Sequence, residues 1–131
     1  MTYLFICLAN SCRSIMAEAI ARALARDSVS IQSCGLSSYP IHKMTLETLT
    51  KNGIAVTSLD SKRVSPELIQ NADVIVLLDK TIKDRLLVPP TKFLIDHHID
   101  DPMPFADDIN ATQAFQKTFD AINTLTRRII K

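Results

Sequence analysis

Residues 3–8, with the sequence YLFICL, form an uninterrupted apolar run that is followed directly by a helical pattern. A strand that is apolar at every position is typical of a parallel sheet covered on both faces, because a strand with one face in water alternates apolar and polar residues. In the helical segment, Met16, Ile20 and Leu24 recur every four residues and therefore lie on one face. This strand–loop–helix beginning predicts an α/β fold.

Three further apolar runs predict three more strands, and helical patterns lie between and after them. The predicted strands cover residues 29–33, 74–78 and 92–95. The predicted helices cover residues 42–52, 66–70, 80–87 and 110–131. Strands that alternate with helices form βαβ units. We therefore predict a single three-layer α/β/α domain over residues 1–131, with a doubly wound, four-stranded parallel sheet.

Length, charge and cysteine content exclude several other classes of protein. A chain of 131 residues is the usual size of one domain and can bury a core without disulfides or a metal. The formal charge of +1 argues against a nucleic-acid partner. No apolar run approaches the roughly 20 residues of a membrane span, and the N-terminus lacks the pattern of a signal peptide. Three cysteines, an odd number, fit a reducing compartment. We expect a cytoplasmic monomer that binds no membrane.

The loop after the first predicted strand carries the most chemistry. It reads CLANSCRS over residues 7–14, with a cysteine where the strand ends and an arginine and a serine where the helix begins. Parallel sheets bind ligands at the carboxyl ends of their strands. Successive backbone N–H groups that run into a helix N-terminus form an anion site. Arg13 can add two parallel hydrogen bonds to a tetrahedral oxyanion.

In such a site Cys7 is the candidate nucleophile, because the positive field of the amides and of Arg13 stabilises a thiolate. Ser14 can donate a hydrogen bond to that sulfur, and Asn10 suits a left-handed kink. A cysteine and an arginine at this spacing also recur by chance, but their position between a buried strand and an amphipathic helix favours the functional interpretation. We expect the oxyanion to be bound by the other loop residues, which are Leu8, Ala9, Asn10, Ser11, Cys12 and Ser14.

Residues 7–18, CLANSCRSIMAE, resemble the loop-and-helix signature of the low-molecular-weight protein tyrosine phosphatases and of the arsenate reductases with the same fold. Weaker similarity continues in the family's order to Asp101-Pro102. The resemblance implies a phosphatase loop after strand 1 and a phosphomonoester hydrolase that passes through a phosphocysteine. Cys7 would attack phosphorus, Arg13 and the loop amides would hold the phosphoryl oxygens, and Asp101 would act as general acid and then base.

The same resemblance implies that no metal or other cofactor is needed. The implied partners are a phosphorylated protein or a small aryl phosphate, with inorganic phosphate or a related oxyanion in the loop. It also implies that Cys12 can form a reversible disulfide with Cys7. Asp100, beside the implied acid, is the less favoured choice because the family's aspartate directly precedes proline.

Two alternatives to a phosphatase remain. Ser11-Cys12-Arg13 and Asp100-Asp101-Pro102 are similar to the arsenate reductase branch. Reduction needs thiols that carry a disulfide away from the nucleophile, and the chain has no cysteine beyond Cys34. A reductase would therefore depend on Cys12, on Cys34 or on an outside thiol supplied by glutathione or a redoxin. The other alternative is a non-catalytic oxyanion-binding module.

The sequence departs from the family pattern at several positions. Ala9 replaces a usual glycine in the loop, and Ile15 replaces a usual proline after it. The phosphatases commonly carry aromatic residues after the Asp-Pro pair, whereas here Tyr39 and Phe105 are the candidate apolar walls. Asp79, after the third strand, is predicted to cap the following helix or to line the pocket.

Overall fold

The computed structural model describes residues 1–130, which form four strands, four α-helices and one 3-10 turn. The strands are β1 (Thr2–Cys7), β2 (Ser30–Gly35), β3 (Val74–Leu77) and β4 (Phe93–Asp96). The helices are α1 (Arg13–Leu24), α2 (Lys43–Lys51), α3 (Pro66–Asn71) and α4 (Ala111–Ile129), and the 3-10 turn is Met103–Phe105. Of the predicted last helix, Lys131 lies outside the described residues. None of the helices within residues 1–130 has the length and apolarity needed to cross a membrane.

The four strands form one parallel sheet in the order β2-β1-β3-β4, which confirms the predicted α/β fold. β1 is central, with Cys7 in register with Gly35 of β2 and Ile6 in register with Leu77 of β3. The chain leaves β1 in one direction to β2 and returns past β1 to β3. The loop after β1 therefore lies at the point where the strand order reverses, where open α/β sheets bind ligands.

Alternate side chains of β1 enter two different cores, because successive residues of a strand face opposite sides of the sheet. Phe5 and Cys7 belong to the core formed with α1 and α4. Leu4 and Ile6 belong to the core on the side of α3. The two cores explain why the run YLFICL has no polar position.

The prediction of a helix over residues 80–87 is wrong, because the structure has turns followed by irregular chain there. Asp79 starts them by accepting hydrogen bonds at Oδ1 from the backbone N–H and the hydroxyl of Thr81. Isolated turn bonds follow from Ile82 to Asp79 and from Arg85 to Ile82. The buried Ile82 pins this segment against the core, and the Pro89-Pro90 pair ends it. Local side-chain bonding thus replaces a continuous helical ladder.

Candidate active site

Cys7 ends β1 and is buried, with its Sγ atom 2.8 Å from the hydroxyl oxygen of Ser14 in the first turn of α1. The amide of Asn10 donates to that same oxygen over 2.7 Å. Because the Ser14 oxygen accepts from Asn10, its own proton is available to the sulfur. The arrangement suits a serine that donates to a Cys7 thiolate.

Asn10 adopts φ of 50°, the left-handed kink that the sequence predicts. Its side chain also donates to Ser33 over 3.0 Å and accepts from the backbone N–H of Lys62 over 2.8 Å. Among residues 1–130, left-handed backbone is confined to Asn10, Ser58 and Gly53. Ala9 therefore has an ordinary φ, and its methyl group is tolerated at a position where the family usually has glycine.

The hydrogen bonds continue from Asn10 into the protein interior. The hydroxyl of Ser33 donates to the carboxylate of Glu18, which is almost fully buried and pairs with Arg22. Sequence reasoning missed Ser33 and Glu18 as supports of the loop. One signal was present: Ser14, Glu18 and Arg22 recur every four residues and form a polar stripe along α1, whose residues 13–21 are all buried.

Arg13 is buried, and its guanidinium is held by three acceptors on other parts of the chain, of which the carbonyl of Leu78 is the most distant at 3.4 Å. Its NH1 atom lies 2.8 Å from Asp79 Oδ2 and 2.8 Å from the carbonyl oxygen of Ile99. Burial favours the neutral form of Asp79, but the bonds from Thr81 and from Arg13 outweigh it and lower the pKa of that carboxyl to about 2. Asp79 thus starts a turn, where the sequence predicted that it would cap a helix, and it also positions the arginine.

Asp101 lies beside Arg13, with Oδ2 3.8 Å from the NH2 atom of the guanidinium. Its Oδ1 accepts from the backbone N–H of Met103, and the side chain is 36% exposed. Asp100 points elsewhere, with 92% of its side chain exposed and its Oδ1 3.1 Å from Nε2 of His98. The structure therefore brings Asp101, and not Asp100, together with Arg13.

The backbone of the loop is held from outside through its carbonyl groups. The N–H groups of Leu36, Ser37 and Tyr39 donate to the carbonyls of Cys7, Leu8 and Ala9. Ser11 is held in the same way, since its carbonyl accepts from His42 and Thr45. In a planar trans peptide the N–H points opposite to the preceding C=O. The N–H groups that follow these carbonyls therefore point away from the bracing residues, an arrangement suited to an anion. They belong to Leu8, Ala9, Asn10 and Cys12.

Gly35 lets the bracing segment approach the loop. A Cβ atom at this position would lie 2.3 Å from the carbonyl oxygen of Ser37, 2.6 Å from the backbone nitrogen of Asn10 and 2.8 Å from the carbonyl carbon of Ala9. All three neighbours are backbone atoms, which cannot move aside without distorting the loop. Gly35 is the last residue of β2, so the end of this strand can lie directly against the loop after β1.

The other two cysteines are buried thiols. Burial raises the pKa of Cys12, at the start of α1, to about 12, and raises the pKa of Cys34 to about 12 as well. Cys34 packs in the core on the side of α3, as expected for a small apolar residue. No cluster of metal-ligating side chains occurs in the described part of the chain.

The fold and this loop define a class of protein, which comparison with known sequences and structures identifies. The family model for low molecular weight phosphotyrosine protein phosphatase matches residues 2–131, and the chain belongs to this family. It is 28% identical over 102 residues to an arsenate reductase of Bacillus licheniformis. The aligned region covers 77% of this chain and 73% of that protein. Relatives in the family are cysteine-based enzymes of two kinds, phosphatases and arsenate reductases.

Solved structures share the whole fold. The low molecular weight protein tyrosine phosphatase from T. tengcongensis superposes with a TM-score of 0.83 at 23% identity, covering 98% of this chain and 97% of that one. The tyrosine phosphatase Wzb from Escherichia coli K30, in complex with sulphate, gives a TM-score of 0.82 at 19% identity, covering 97% and 94%. The sequence resemblance is thereby confirmed, and so is the three-layer fold.

Proposed function

We propose that this protein is a phosphomonoester hydrolase of the protein tyrosine phosphatase type. The Cys7 thiolate attacks phosphorus and forms an S–P bond while the P–O bond to the leaving group breaks. Asp101 gives its proton to the departing oxygen. In the second step Asp101 takes a proton from water, the water oxygen attacks phosphorus, and the S–P bond breaks to release phosphate and the thiolate.

The observation that carries this proposal is the position of the Asp101 carboxyl, 3.8 Å from the guanidinium of Arg13 and partly open to solvent. The Arg13 guanidinium is held at NH1, which leaves its other N–H groups for an oxyanion. An oxyanion bound in the loop would have Cys7 beside it as the nucleophile, Arg13 as the group that stabilises charge and Asp101 as the proton donor. The sulphate bound to Wzb is consistent with oxyanion binding by this fold.

The alternative function, arsenate reduction with a thiol from glutathione or a redoxin, is favoured by the curated relative from B. licheniformis. Reduction forms a disulfide that must reach an outside reductant. Cys12 and Cys34, the two other thiols of the chain, are buried, and their raised pKa values keep them as weakly nucleophilic thiols. This burial disfavours a reduction that passes the disulfide through Cys12 or Cys34, so a reductase would need the outside thiol to reach Cys7 directly.

For the substrate we propose a phosphorylated protein or a small aryl phosphate. Tyr39 and Phe105 are both exposed, at 62% and 50%. Each is close in the chain to the site, since Tyr39 donates to the carbonyl of Ala9 and Phe105 follows Asp101 by four positions. Exposed aromatic surface can contact a substrate ring.

The need for a free Cys7 thiolate also supports the expected cytoplasmic location.

Paired assays on one purified sample test the proposal. We expect hydrolysis of p-nitrophenyl phosphate by the wild type, loss of hydrolysis in Cys7→Ser, and retention in the matched control Cys34→Ser. Arsenate-dependent oxidation of glutathione or of a reduced redoxin, without hydrolysis, would replace the proposal with the reductase. Phosphate binding without either reaction would leave only the non-catalytic binding module.

A further inference from the structure

β4 forms an uncovered edge of the sheet. It pairs with β3 on one side, and its residues Phe93 and Leu94 are 66% and 44% exposed. Parallel sheets normally have both faces covered, and native proteins usually protect the edges of their sheets. The exposed apolar side chains on this edge therefore indicate a surface that another polypeptide segment covers.

The chain segment between β3 and β4 leaves this region open. Connections between parallel strands usually contain a helix that packs on the sheet, but residues 78–92 consist of turns, bends and irregular chain. A groove of about 720 Å³ lies between α3 and residues 86–92. Leu87, on the rim of this groove, is 91% exposed.

The direction of the backbone groups decides which residues of β4 can bind another strand. The N–H groups of Phe93 and His97 donate to the carbonyls of Asp73 and Leu77, which flank or end β3. Because backbone groups alternate in direction along a strand, Leu94 and Asp96 direct theirs away from the sheet. This free edge can pair with a further strand.

We propose that β4 binds β4 of a second copy of this chain, antiparallel, around a twofold axis at Leu94. In that register Leu94 and the partner's Leu94 exchange both backbone hydrogen bonds. Each Asp96 N–H donates to the partner's Lys92 carbonyl. The two sheets then form one continuous sheet of eight strands, and the interface is isologous.

The charges on β4 favour this occupant and this register. Lys92 and Asp96 are equally distant from Leu94, so the antiparallel alignment sets each lysine opposite the partner's aspartate. Phe93 meets the partner's Ile95 on the opposite face. A shift by two residues would set Leu94 opposite a charged residue and lose both ion pairs. The strand is therefore complementary to itself.

The contacts that these charged residues make within one chain do not prevent the pairing. Lys92 Nζ donates to the carbonyl of Gln70, and Asp96 lies 3.8 Å from Lys83. Both are surface contacts, which contribute little to stability and can exchange. Since β4 is only four residues long, the interface is small and the dimer should dissociate on dilution. This replaces the monomer expected from the balanced charge.

Sedimentation velocity of the full chain between about 1 and 500 µM tests the pairing, over the range in which small interfaces dissociate. We expect a shift from monomer to dimer with concentration. Leu94→Glu should abolish the shift, and Ile109→Glu, at a 97% exposed residue outside β4, should leave it unchanged. A monomer at the highest concentration, or a dimer indifferent to Leu94→Glu, would overturn the proposal.

Charge reversal tests the register independently. Lys92→Asp places two acids opposite each other at both ends of the strand, so dimer affinity should fall roughly tenfold. Adding Asp96→Lys to the same chain restores opposite charges and should recover most of the affinity. A double variant that is no tighter than the single variant would exclude this alignment. Circular dichroism of each variant checks that the fold is kept.

Discussion

At the scale of single residues, Asn10 holds the loop in shape before any ligand binds. One left-handed residue changes the direction of the chain, and its amide contacts Ser14, Ser33 and the backbone of Lys62. These partners come from three separate parts of the chain. The loop is therefore already ordered when an oxyanion binds. The entropic cost of ordering it belongs to folding and does not weaken binding.

The two neighbouring aspartates should differ sharply in function. We predict that Asp101→Asn lowers kcat by about 10²–10⁴-fold for aryl phosphates with poor leaving groups, because an amide cannot supply the proton. Asp100→Asn should change kcat by less than about twofold, since its carboxylate points into solvent. Steady-state kinetics with a series of leaving groups measures both effects. If Asp100→Asn were the slower variant, the assignment of the acid would be wrong.

The residues of the loop could be predicted from the sequence, whereas their supports could not. Cys7, Arg13 and Asn10 lie between a recognisable strand and a recognisable helix, so local pattern locates them. Ser33 and Gly35 act through contacts with residues more than twenty positions away. Such contacts depend on strand order and register, about which spacing along the chain carries no information.

At the scale of secondary-structure elements, the end of β3 positions the arginine at the start of α1. Asp79 follows β3 and bonds both to Thr81, in the turn that it starts, and to Arg13. This double use explains why residues 80–87 do not form the predicted helix. The apolar residues in this segment have helical spacing, which is why the sequence predicted a helix. The spacing could not show that Asp79 would accept hydrogen bonds from Thr81 and start a turn.

The low pKa of Asp79 predicts how stability depends on pH. The carboxylate is stabilised in the folded chain, where its pKa is about 2 compared with an ordinary value of 3.8. Its contribution, on the order of 2 kcal/mol, is therefore complete above about pH 4 and is lost as the pH falls towards 2. Asp79→Asn should lower the free energy of unfolding at pH 7 and flatten its decline between about pH 4 and 2.

Urea unfolding of both proteins at several pH values measures this difference. Asp84→Asn, which changes an exposed carboxyl in the same connection, serves as the matched control and should follow the wild-type profile. Parallel profiles for Asp79→Asn and the wild type would show that the carboxylate gains nothing from its contacts.

At the scale of the whole molecule, the two cores share the central strands of the sheet. β1 and β3 each contribute alternate residues to both cores, so neither core can open without disturbing strands that support the other. The sequence predicted the fold class and all four strands, because apolar runs and helical spacing are local. It did not predict the order of the strands or the open edge at β4, which depend on how distant segments pair.

These shared strands predict that the domain unfolds as one unit. Cys12 and Cys34 lie in opposite cores and are both buried. In the Cys7→Ser variant, we expect the two thiols to be labelled by iodoacetamide at the same rate, because each becomes accessible only on global opening. Mass spectrometry of digested, pulse-labelled protein gives the two rates. Faster labelling of Cys34 would show that the side of α3 opens separately.

The position of β1 also has a consequence for synthesis on the ribosome. Cys7 lies before α1, but the carbonyl that anchors Arg13 belongs to Ile99, 86 residues after Arg13. A nascent chain must therefore extend at least to Ile99 before the guanidinium acquires its partner. During that interval the loop after β1 lacks part of its support, and the site is complete only once Ile99 has left the ribosome.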